Sequence, residues 1–98
     1  MLWKRKNKES EGDYWFNGKC FVTAGVRDSI PEEDLMVIIK DVHEFAQETE
    51  GIDYLQEYKH EETGQRIWII DQVTKASLQD GTQPQEHNYF TVLFPSEY

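Results

Sequence analysis

The stretch Ser29-Ile30-Pro31-Glu32-Glu33-Asp34-Leu35-Met36-Val37-Ile38-Ile39-Lys40-Asp41-Val42-His43-Glu44-Phe45-Ala46-Gln47-Glu48-Thr49-Glu50-Gly51 decides the fold. Leu35, Ile38, Ile39, Val42, Phe45 and Ala46 recur at helical spacing, so they fall on one face of a helix that turns about every 3.6 residues. Ser29 with Glu32 reads as a capping box, and Pro31 as a first-turn residue whose missing N–H costs nothing. Gly51 reads as the left-handed residue that ends the helix. Asp34, Asp41, Glu44 and Glu48 lie on the other side, with Val37 as an apolar exception. The pattern therefore predicts a helix that buries one stripe and shows an acidic face.

Downstream, Ile52 to Tyr58 and Gln65 to Ile70 are rich in β-branched and aromatic residues and flank the polar turn His60-Glu61-Glu62-Thr63-Gly64, which predicts a hairpin. Val73 and Ala76 admit a short helix to about Gln79, broken by Asp80-Gly81-Thr82-Gln83-Pro84. Tyr89 to Phe94 reads as a last strand stopped by Pro95. Upstream, Asn17-Gly18 between Tyr14-Trp15-Phe16 and the run Lys19 to Val26 predicts another hairpin, because a type I′ turn needs positive φ at both central residues. Residues 1–11 lack apolar periodicity after Trp3 and read as a flexible basic arm whose loss should leave the fold intact. The expected organisation is that arm followed by one α+β domain over residues 12–98. Its order is β-hairpin, α, β-hairpin, short α, β, giving a mostly antiparallel sheet of four to five strands with the long helix on one face.

The run Phe21-Val22-Thr23-Ala24-Gly25-Val26, then Ile30-Pro31, then Asp53-Tyr54-Leu55-Gln56 after the helix, resembles the domain-of-unknown-function family numbered 960, small proteins of Gram-positive bacteria. Members show F-V-T-x-G-[IV], I-P, an amphipathic helix and D-Y-L-Q, and often sit in phages, plasmids and cassette elements. The resemblance covers about Cys20 to Tyr98; the chain departs from it by lacking a tryptophan in the helix and by carrying the Asp13 to Phe16 segment upstream. The family being uncharacterised, the resemblance implies no activity and transfers no site residues.

Ninety-eight residues supply one hydrophobic core and no deep cleft between domains. The net charge of −9 argues against a general nucleic-acid binder, which draws its affinity from Lys and Arg. The first eight residues carry +4 and the remainder −13, and the segment from Ser29 to Glu62 has eleven acids against Lys40 and Lys59. With one cysteine, Cys20, no internal disulfide forms; no secretory signal or membrane span is legible, and a cytoplasmic location is expected. Cys20 is expected to be a small buried hydrophobe rather than a nucleophile. The glycines are too dispersed for a phosphate loop. His43, His60 and His87 lack zinc-ligand spacing. No cofactor, metal or catalytic residue is expected, and the chain reads as a non-enzyme.

Two readings of function stay open. In the first, the chain is a protein-binding module whose acidic helix face, Asp34, Asp41, Glu44 and Glu48, engages a partner with a basic surface. In the second, it is a generic interaction or assembly domain that uses an aromatic sheet or an edge strand, as a monomer or weak homodimer, with the acids only solubilising it. Trp15, Phe16, Phe21, Tyr54, Tyr58, Trp68, Tyr89, Phe90 and Phe94 lie on expected strands. Packing is favoured for them over base stacking, because Lys19, Lys59 and Arg66 are the few cations among those strands.

Overall fold

A computed structural model of the protein describes residues 2–6 and 11–98. Its strands are β1 (Trp3–Arg5), β2 (Lys19–Val22), β3 (Leu55–His60), β4 (Arg66–Asp71) and β5 (Tyr89–Leu93). The helices are α1 (Ala24–Ser29), α2 (Glu32–Thr49) and α3 (Lys75–Gln79), with 3-10 turns at Gln85–His87 and Pro95–Glu97. The strands form one sheet in the order β1-β3-β4-β5-β2, antiparallel except for the β2–β5 pair. This is an α+β fold built on one mostly antiparallel sheet and one long helix.

The helix stripe packs as its spacing requires. Ile38, Val42 and Ala46 are fully buried and Leu35 nearly so, while Ile39 and Phe45 pack half-buried at its margin. They meet Tyr58, Ile67, Ile69, Phe90 and Val92 from one face of the sheet. Three acids in the first turn of α2 favour the positive end of the helix dipole. The hairpin β3–β4, the short helix α3 and the strand β5 all form where the pattern puts them. The first half of the expected Ile52 to Tyr58 strand is instead a connection, in which Ile52 makes an isolated bridge to Tyr14.

Four local expectations are corrected. The basic arm expected over residues 1–11 falls partly on Met1 and residues 7–10, outside the described residues; of the rest, Trp3–Arg5 is the edge strand β1, paired with β3. The Trp3 indole is buried, edge-on to His60, and that burial ties the segment down where a patternless terminus would fray. Asn17-Gly18 makes no hairpin, since neither residue has positive φ and β2 pairs in parallel with β5. Gly18 is required for close approach: a Cβ there would collide with the Asn88 carbonyl oxygen. The left-handed residue upstream is Phe16, at φ 50°, held by its N–H donating to the buried Asp71 carboxylate at 2.9 Å.

The remaining two corrections concern the helices. The run Lys19 to Val26 leaves the sheet at Thr23, whose hydroxyl accepts from the Val26 N–H and caps α1. Ser29 therefore ends α1 and does not cap α2, which begins at Pro31 with no side-chain cap. At the other end Glu50 takes the left-handed conformation (φ 59°) with its N–H on the Ala46 and Gln47 carbonyls, and Gly51 follows at φ 102°.

Candidate functional site

Strand β1 changes what the acidic helix face can do. It lies beside α2, and the Trp3 indole N–H donates to Asp34 Oδ2 at 3.1 Å. Arg5 pairs with Asp41 Oδ2 at 2.9 Å, and the Tyr58 hydroxyl donates to the same oxygen at 2.6 Å. Tyr58 stays protonated: burial, then the hydrogen bond to Asp41 and its negative charge, push the phenol well above its ordinary range, against a smaller opposing pull from Arg5. Of the four acids singled out from the sequence, Asp34 and Asp41 are thus half-buried tethers for β1. Glu44 and Glu48 remain exposed, Glu44 at 3.9 Å from Lys40. The four do not form one open row. Met36 and Val37, both exposed, break the outer face of the helix further.

The opposite face of the sheet is differently made. Strand registers assign Lys4, Lys19, Phe21, Leu55, Glu57, Lys59, Arg66, Trp68, Ile70, Tyr89, Thr91 and Leu93 to the side away from α2. Four of these are cations and one, Glu57, is an acid that accepts from the Trp68 indole N–H at 3.0 Å. Phe21 meets Tyr89 edge-on at 5.1 Å, and Trp68 meets Tyr98 at 5.7 Å. The 3-10 turn at Pro95–Glu97 brings Tyr98 over this side, where it is 76% exposed. A cleft of about 450 Å³ opens beside it, lined by Tyr14, Tyr54, Ile70, Thr91, Leu93 and Tyr98.

Lys4, Lys59 and Arg66 are direct cross-strand neighbours on β1, β3 and β4, through the registers Lys4↔Lys59 and Lys59↔Arg66. Among the described residues the ion pairs are Arg5–Asp41 and Lys40–Glu44, so Lys4, Lys59 and Arg66 make none there. Like charges set directly opposite destabilise a sheet. Sequence reasoning named Lys59 and Arg66 only as sparse strand cations, and it missed the row because Lys4, expected in a flexible arm, meets them only once β1 joins the sheet.

Cys20 is exposed rather than buried, because it sits on the edge strand β2, although the chain around its sulfur desolvates it enough to raise the thiol pKa. A raised thiol is a poor nucleophile. Burial likewise raises the Asp71 carboxyl, opposed by hydrogen bonds from the Phe16, Gln72 and Trp15 N–H groups. Its Oδ2 holds the Phe16 bend while its Oδ1 accepts from the Gln72 N–H at 2.9 Å. Of the D-Y-L-Q run, Tyr54 is exposed in the cleft while Gln56 is buried, its Nε2 donating to the Asp53 carbonyl. Among the described residues no group of three His, Cys, Asp or Glu side chains is placed to hold a metal, and no helix is long and apolar enough to cross a membrane. No family model, curated protein or solved structure matches the chain.

Proposed function

We propose that the protein is a non-enzymatic binding module whose contact surface is the open, aromatic face of the sheet. The observation that carries this reading is the group of large aromatics left exposed on the side of the sheet away from α2. Helix α2 covers one face; on the other, Ile70 and Leu93 are buried, while Tyr54 (44% exposed) and Tyr98 (76%) line the cleft and Phe21 (51%) stands on the edge strand β2 against Tyr89. Large aromatics exposed together mark interaction surfaces, because burying them against a partner removes apolar area from water at low entropic cost. The family resemblance over Cys20 to Tyr98 agrees with an accessory bacterial protein acting in the cytoplasm, and belongs to the same proposal.

The test is capture from native lysate by the wild type and by Phe21→Ala/Tyr98→Ala, with thermal melting as the fold control. Loss of partners without loss of the melt supports the reading; retention of every partner refutes it. The acidic helix face is the second reading, favoured by the exposure of Glu44 and Glu48. On that reading Glu44→Lys/Glu48→Lys abolishes capture, complexes dissolve steeply with salt, and the sheet variant is silent.

A further inference from the structure

We infer that the open sheet face binds single-stranded nucleic acid, through the juxtaposition of the cross-strand row Lys4, Lys59, Arg66 with the Trp68–Tyr98 aromatic pair. This rests on the sheet-face reading above and names its ligand class. The row and the aromatics adjoin: Arg66 and Trp68 are two residues apart on β4, so they share a face, and Tyr98 lies against Trp68. Three cations side by side, without an ion pair among the described residues, form a site for an anion in a protein of net charge −9. An anion alone explains only the row. Bases splayed from one strand stack on aromatic rings while the backbone tracks neighbouring cations, which uses both halves of the surface. A duplex keeps its bases stacked on each other and leaves the aromatics unused. The strand positions of this face hold four cations and one acid, while Glu61 and Glu62 sit in the β3–β4 turn and Glu97 beside Tyr98. A local attraction is therefore compatible with an acidic chain, and its range is limited to about a Debye length.

Fluorescence anisotropy of the full chain with a labelled oligothymidylate of about 12 nucleotides, a span within known single-strand sites, tests this directly. The expected result is saturable binding whose logarithmic salt slope between ~50 and ~200 mM is about −2, three phosphates at −0.7 each. Lys59→Glu/Arg66→Glu should weaken it at least tenfold. Tyr98→Ala should weaken it at least about fivefold, the lower end for one stacked base, with the slope unchanged. Thermal melts keep the variants interpretable, all three side chains being on the surface or half-buried. Absence of binding, equal binding of a duplex of the same length, or indifference to the charge reversal overturns the inference. Lysate partners that survive nuclease and are still lost in Phe21→Ala/Tyr98→Ala also overturn it, while leaving the sheet-face reading intact. If neither oligonucleotide nor lysate partner depends on the sheet, both fall together.

Discussion

Replacing Trp3 by alanine tests whether the N-terminal strand belongs to the fold. The indole is 3% exposed, and it joins three elements: its own strand, His60 on β3 and Asp34 on α2. A buried aromatic removes roughly 150–250 Å² from water, or about 4–6 kcal/mol at 25 cal/mol per Å². Residual compactness of the unfolded chain trims that, and alanine keeps a little of it, leaving about 3 kcal/mol. The orphaned Asp34 adds little because it is half-exposed and rehydrates. Against a total stability of about 5–15 kcal/mol this is a large fraction. At about 4–8 °C per kcal/mol for a domain of this size, the melting temperature should fall by about 12–24 °C. Differential scanning calorimetry of Trp3→Ala beside Lys4→Ala reads it, since Lys4 points to the other side of the sheet and its loss should stay within about 0.5 kcal/mol. A drop of less than about 4 °C in Trp3→Ala would refute the docking of β1.

Two further outcomes follow from burial. Ile38→Asp should abolish the cooperative circular-dichroism melt, because an unpaired charge is forced into a fully buried position, whereas Ile39→Asp at the half-buried margin should leave a folded, destabilised protein; equal effects would mean the helix is rotated from the phase described. Asp71 sets a pH dependence: its carboxyl is raised in the native state, so its contribution to stability is fully present below the unfolded value of about 3.9 and is lost as pH rises through the higher native value. Urea melts from acid to neutral pH should therefore show the stability of wild type relative to Asp71→Asn falling as pH rises, and a difference that grows with pH contradicts the burial of that charge.

The parts of the fold legible in the sequence are those whose pattern repeats. Leu35 to Ala46 spans several turns, so the helix and its buried stripe follow from spacing alone. The hairpin β3–β4 follows from two apolar runs around a polar turn. What stayed hidden depends on contacts across long separations. Three residues are too few to display a period, so β1 is recognisable only from the burial of Trp3 and the pairing of Arg5 with Asp41, thirty-six positions away. Asn17-Gly18 carries the composition of a type I′ turn, yet the tether from Asp71 to Phe16, fifty-five positions away, bends the chain one residue earlier. The candidate site was half legible for the same reason. The acids of α2 were found by spacing, but that Asp34 and Asp41 face β1 was not, and the aromatic positions were found with Lys59 and Arg66 but without Lys4, which joins them only through β1.

The cationic row admits a structural explanation that can be weighed against a binding one. Edge strands are commonly kept short and given Lys or Arg so that they do not recruit other chains, and β1 is a three-residue edge strand with Lys4 at its centre. That account covers Lys4. It does not reach Lys59, which lies on an interior strand with Lys4 on one side and Arg66 on the other; Arg66 begins β4, ahead of its pairing with β5, which starts at Trp68. At the interior position of Lys59 a neutral or acidic residue would relieve the repulsion at no cost to edge protection. The nearby Glu57 accepts from Trp68. Edge protection and ligand binding thus predict different things for Lys59. If the row only guards the edge, Lys59→Glu stabilises the sheet by relieving the repulsion with Lys4 and Arg66 and changes no binding. If it holds an anion, the same substitution also stabilises the free protein, yet weakens the salt-dependent capture of single strands, so stability and binding move in opposite directions in one variant.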